Sequence, residues 1–173
     1  MDARFPWDER LSHVLYLDQF AESAPEIAAP LAALGPRVAQ GRTEVTVETA
    51  LLRIGIRRIH ARDPLVCPWE TEIAPNWRVA FALGATPDPS RPTECWSPAS
   101  IEVVSGVVAL LTAFPAADAF LVVHHDIPAL MRRHGRLVLA QALAYGGGLW
   151  DPDAHPYRAM VRLDHAVESL GPW

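Results

Sequence analysis

The chain has 173 residues, half of them hydrophobic and a fifth charged, and a formal net charge of −5. That profile belongs to one globular domain and excludes disordered, fibrous and collagen-like chains. Every basic side chain other than histidine is arginine, and the acidic balance is a poor match to nucleic acid, whose phosphates call for a broad basic surface.

The segment from His13 to Phe20 suits either a strand or a helix, with the balance towards a strand. Ser23-Ala-Pro-Glu26 has the spacing of a capping box, which predicts a helix carrying Ile27, Leu31, Leu34 and Val38 on one stripe. Pro30 and Gly35-Pro36 limit that helix to a few turns. From Thr43 to Glu48 the residues alternate, with Val45 and Val47 on one side and Glu44, Thr46 and Glu48 on the other, as in a half-buried strand. Leu52, Ile54 and Ile56 alternate in the same way with Arg53, Gly55 and Arg57, and Trp77, Val79, Phe81 and Leu83 with Arg78, Ala80 and Ala82. The proline-bearing stretches Asp63–Pro75 and Thr86–Pro98 read as long loops.

Ser97-Pro98 is a helix start, followed at helical spacing by Ile101, Val104, Val108 and Leu111; the β-branched run Val103–Val108 would also suit a strand, but length and cap favour the helix. Phe120–Val123 is apolar at successive positions, which suits a central strand. Leu130–Arg133 and Arg136–Leu139 flank His134-Gly135 and predict a hairpin with a two-residue turn. Gly146-Gly147-Gly148 is a flexible connection. Pro156 opens a final predicted helix, with Met160, Leu163, Val167 and Leu170 on one stripe and Gly171-Pro172 beyond it. Strands in sequence-adjacent groups with few helices predict an α+β fold, a single domain over residues 1–173. Its sheet is expected to be mainly antiparallel, with about three helices packed on one face.

Cys67 and Cys95 form no C-x-x-C pair, and the first residues lack the basic-then-apolar order of a signal peptide. These predict a cytoplasmic chain with reduced thiols. The longest apolar region, Ala99–Val123, is broken by Glu102, Gly106, Pro115 and Asp118, too soon for a membrane span.

Several clusters carry chemistry-bearing side chains. His124-His125-Asp126 is the most metal-like, yet adjacent histidines on a strand point to opposite faces unless the strand ends there. His165 and Glu168 share a face if the last segment is helical, near Asp151, Asp153, His155 and Asp164. Each cluster has a plainer reading, as a solvated strand end and as the wet side of an amphipathic helix. A serine nucleophile elbow is excluded because Val103 stands where Ser105-Gly106 would need a glycine. The triple glycine lacks dinucleotide-binding spacing. Arg57, Arg58 and Arg62, and likewise Arg132, Arg133 and Arg136, read as solvated strand faces without the interleaved aromatics of a base-stacking surface. Trp69, Trp96 and Trp150 lie beside Glu70, Glu94 and Asp151. They read either as interface anchors ringed by acids or as lids over the core.

From Ile73 onward the order of features resembles the immunity proteins of the Sit (swarming inhibition) polymorphic toxin systems. Ile73-Ala-Pro-Asn-Trp77 leads into Val79-Ala-Phe81, and a helix with Val107-Val108-Ala-Leu-Leu111 follows. Asp118-Ala-Phe-Leu121, the arginine–glycine hairpin Ala129–Leu139, Trp150 and Pro156-Tyr157 complete the pattern. The resemblance implies a cytoplasmic bacterial protein that binds and neutralises one cognate protein toxin. It implies no enzymatic activity, cofactor, metal, nucleic acid or membrane in that role. Trp69, Glu70, Trp96, Trp150 and Asp151 are the expected partner-binding residues. The alternative class is a metal-dependent hydrolase built on His124, Asp126, His155 or His165.

Overall fold

The computed structural model describes residues 13–60, 74–83, 96–123, 127–145 and 148–170. These residues build a nine-stranded sheet and three helices. In chain order they are β1 (His13–Asp18), α1 (Ala24–Ala28), β2 (Arg37–Gln40), β3 (Glu44–Glu48), β4 (Leu52–Arg58) and β5 (Trp77–Leu83). Then follow α2 (Trp96–Ala113), β6 (Asp118–Val123), β7 (Ile127–Arg133), β8 (Arg136–Ala140), α3 (Tyr157–Met160) and β9 (Ala166–Glu168). The spatial order is β2-β3-β4-β5-β1-β6-β7-β8-β9. Every neighbouring pair is antiparallel except β8–β9.

β1 lies in mid-sheet, between β5 and β6. The period-two pattern is the reason the sheet has a packed side. Leu15, Leu17, Val45, Val47, Ile54, Ile56, Trp77, Val79 and Phe81 are all fully buried in one cluster, together with Ile27 of α1, Val104 and Leu110 of α2, and Met160 of α3. Phe120 and Val122 form a second, smaller cluster with Tyr16 and Met131, so β6 is apolar on both sides, as its sequence requires. On α2 the buried stripe is Val103, Val104, Val107, Leu110 and Leu111. It is rotated from the predicted one: Ile101 and Val108 are only half-buried.

Gly106 lets α2 approach β5. A Cβ there would stand 2.8 Å from Cε1 of Phe81 and 3.3 Å from Cδ1 of Leu34. Ser105, half-buried beside it, is a small helical residue. Gly106→Leu is therefore expected to cost about 2 kcal/mol, because a fully buried ring must move to admit it. The urea midpoint should fall with an unchanged slope.

The hairpin forms as predicted. His134 and Gly135 both have positive φ, 52° and 79°, the backbone of a type I′ turn. The His134 amide donates to Asp118 Oδ1 at 2.8 Å. Arg132, expected on a solvated face, is instead 6 % exposed. Its Nε donates to the Ala117 carbonyl at 2.7 Å, and Nη1 and Nη2 to those of Leu111 and Phe114 at 2.7 and 2.5 Å. Burial lowers the Arg132 pKa from its ordinary value, and the Asp118 carboxylate opposes that shift.

Three local expectations are corrected. Ser23 makes no side-chain bond to a helix amide; its hydroxyl donates to the Glu26 carboxylate at 3.0 Å. The first helix stops early and passes into a 3-10 turn at Ala29–Leu31, so Val38 lies on β2, an exposed strand. The last helix is four residues long, and the chain beyond it becomes β9, a parallel neighbour of β8. The predicted loops fall mostly outside the described residues, at 61–73 and 84–95, and so do Gly146 and Gly147.

Candidate functional site

The alternation that buries one side of β3, β4 and β5 turns their other residues onto a common face, and the register sets those residues in rows. Glu48 stands opposite Arg53, which stands opposite Ala82. Thr46, Gly55 and Ala80 form the next row, and Glu44, Arg57 and Arg78 the third. The middle row is short: a hydroxyl, no side chain and a methyl. Long arginines rise on either side of it. The result is a depression of about 270 Å³ lined by Glu44, Thr46, Arg53, Gly55, Arg57, Arg78 and Ala80.

Electrostatically the lining is the inverse of the whole chain. Among the described residues it holds three guanidiniums and one carboxylate, whereas the protein carries −5. Arg53 Nη2 pairs with Glu48 Oε1 at 3.1 Å. Arg57 and Arg78 are direct cross-strand neighbours, an arrangement that places like charges with Cβ atoms about 5 Å apart and is destabilising by itself. Arg78 is half-buried and has no ion-pair partner among the described residues. Planar guanidiniums beside a hydroxyl recognise carboxylate and phosphate oxygens through charge-assisted hydrogen bonds.

The structure does not bring the expected partner-binding residues together as a described surface. Trp69 and Glu70 lie outside the described residues, and Trp96 is the first residue of α2, with its side chain outside them. Trp150 takes the core-lid reading: it is 1 % exposed, and its indole N–H donates to the Ala129 carbonyl at 2.6 Å. Asp151 is half-buried, and its Oδ1 accepts the Asp153 amide at 3.0 Å.

His124, His125 and Asp126 also lie outside the described residues. The proposed His165/Glu168 helical pair is corrected, because that segment is not a helix. The His165 Nδ1–H donates to the Leu163 carbonyl at 2.7 Å, which leaves Nε2 to accept the Tyr157 hydroxyl at 3.1 Å. The two rings meet edge to face at 5.7 Å. Glu168 is ion-paired with Arg136. Among the described residues no group of three or more His, Cys, Asp or Glu is placed to hold a metal ion, and no helix is long and apolar enough to cross a membrane.

Sequence reasoning passed over Arg53, Arg78, Gly55 and Ala80. Alternation alone assigned Arg53, Gly55 and Arg57 to one side of β4, but it did not say that β5 would be the neighbour, with Arg78 set against Arg57. A glycine and an alanine among long charged side chains on polar strand faces were the available signal. Comparison with known protein families, with curated proteins and with solved structures finds no match.

Proposed function

We propose that this chain is a binding protein of the immunity type, which neutralises a cognate bacterial toxin in the cytoplasm by covering its active or target-binding surface, without catalysis of its own. In this reading the three helices sit on one face of the sheet and the charged rows of β3, β4 and β5 face the partner. The observation that carries it is the preformed depression between Arg53, Arg57 and Arg78, a local positive site on an acidic protein. Such local contrast sets register and rejects wrong partners, while the overall charge steers the encounter with a basic toxin. The order of features from Ile73 to Tyr157 points the same way, through its resemblance to Sit-type immunity proteins. Trp69, Glu70, Trp96 and Asp151 remain the proposed anchors; Trp150 contributes from the core.

The test is protection. A toxin-like protein encoded beside this chain should arrest growth when expressed alone and should be silenced by co-expression. Arg57→Glu combined with Arg78→Glu should lower protection at least tenfold, about 1.4 kcal/mol of binding, with an unchanged melting temperature. Full protection by that double variant would remove the sheet face from the interface, and failure of the wild type to bind the toxin would remove the immunity reading.

A further inference from the structure

A guanidinium binds in two ways, through the N–H groups in its plane or through its flat faces. On β4 the in-plane groups already have work. Arg53 pairs with Glu48, and both Arg53 and Arg57 carry further interactions. They act as walls held in position, and the depression of about 270 Å³ is the space that remains with those interactions in place. Its floor is apolar, made by Gly55 and Ala80 side by side across β4 and β5. Ala80 is only 3 % exposed, so the space narrows downwards to a slot. Arg78 stands two residues from Ala80 on the same face of β5. It is half-buried and makes no hydrogen bond or ion pair among the described residues.

We infer that this slot receives the ring of an aromatic side chain presented by the protein partner, seated over Gly55 and Ala80 and stacked against Arg78. This rests on the binding reading above and gives its central contact a chemistry. Shape is the first reason: a narrow space over a glycine and a methyl admits a flat group edge-on and turns away a branched one. Charge is the second. The faces of an aromatic ring are electron-rich, and a cationic surround attracts them, most strongly where water is displaced. The third is the floor itself, which a ring covers and a small anion leaves wet. A carboxylate would also depend on in-plane donors, and on Arg53 and Arg57 those are engaged. The ring comes from a protein because a net charge of −5 repels a nucleic-acid backbone, and because tyrosine and tryptophan are the usual anchors of protein interfaces.

The probe is p-cresol, the side chain of tyrosine without its backbone. Titrated into the full chain, it should move the Ala80 methyl and Gly55 α-proton resonances upfield, because a ring stacked above them shields them. The shift should follow a saturating curve in the millimolar range. 4-Methylcyclohexanol, of similar size but without an electron-rich face, should bind about fivefold more weakly or worse. Arg78→Met should weaken p-cresol by about the same factor, while Arg78→Lys keeps the charge, loses the flat face and falls between the two. Ala80→Leu, which fills the slot, should abolish the Gly55 shift. A response that fails to saturate would overturn the inference. So would equal binding of 4-methylcyclohexanol, an undiminished response in Arg78→Met, or tighter saturation by acetate or inorganic phosphate than by p-cresol. The wild-type titrations decide the matter if a variant fails to fold. The experiment contains no toxin, so its failure is separable from failure of the protection assay.

Discussion

Arg132→Met is expected to destabilise the protein by about 4 kcal/mol, the cost of breaking a buried, fully engaged charged group. The reason lies at the end of α2. The last carbonyls of a helix have no intrahelical donor, and here the chain must also turn within a few residues to enter β6. Arg132 reaches from β7 and supplies donors to Leu111 in the last turn, Phe114 just beyond it and Ala117 immediately before β6. The negative end of the helix dipole favours the charge there. Methionine matches much of the volume and removes all three guanidinium donors: the Phe114 carbonyl keeps the Ala117 amide at 3.1 Å, while those of Leu111 and Ala117 must find water in a region where Ala117 is 2 % exposed. Each orphaned group costs about 1–3 kcal/mol. In a domain of this size the melting temperature should fall by about 10 °C. Arg132→Lys should recover only part of the loss, because one ammonium cannot span carbonyls spread over seven residues of chain. A methionine variant within about 1 kcal/mol of the wild type would mean that water already serves these carbonyls.

That staple was not legible in the sequence, and the reason is physical. Arg132, Arg133 and Arg136 look alike in a linear reading. Only the register of β7 against β6, which sets Arg132 opposite Ala119, places that one guanidinium beneath the end of α2. Local signals fared better wherever one period dominated. Alternation in β3, β4 and β5 located those strands because one side of each is fully buried. His134-Gly135 located the hairpin because so few backbones close a two-residue turn. The failures came where tertiary pairing overrode a helical pattern. Met160, Leu163 and Val167 keep helical spacing, yet the exposed edge of β8 takes Ala166–Glu168 as a partner, with Glu168 held by Arg136. Val38 likewise leaves its predicted helix: Gly35 passes so close to β3 that a Cβ there would fall 2.0 Å from the Glu48 carbonyl oxygen, and the chain continues as β2. The depression was half legible: alternation put Arg53, Gly55 and Arg57 on one side of β4 and Arg78 and Ala80 on one side of β5, and only the register set the two rows against each other.

Trp150→Ala is expected to cost about 3–5 kcal/mol, the range for deleting a large aromatic from a packed core, and Trp150→Phe about 1–3 kcal/mol. The gap between the two separates ring packing from the indole N–H. That N–H has a specific duty created by the strand beneath it. Pro128 has no amide hydrogen to give to the β6–β7 ladder, and the register shifts there: Leu121 pairs with Leu130 and Val122 with Pro128, which leaves Ala129 without a Cα partner on β6. The Ala129 carbonyl is fully buried with its residue and is met by Trp150 Nε1 at 2.6 Å. The tryptophan is held in turn by its own amide on the Leu143 carbonyl at 2.8 Å. Phenylalanine keeps most of the apolar surface and orphans that carbonyl; alanine does both kinds of damage. Denaturant titration should therefore order the three proteins as wild type, Trp150→Phe, Trp150→Ala, and any loss of partner binding in the alanine variant should track its unfolded fraction. An alanine variant that stays within about 1 kcal/mol of the wild type while losing the partner outright would reverse the assignment, returning Trp150 from the core to the interface.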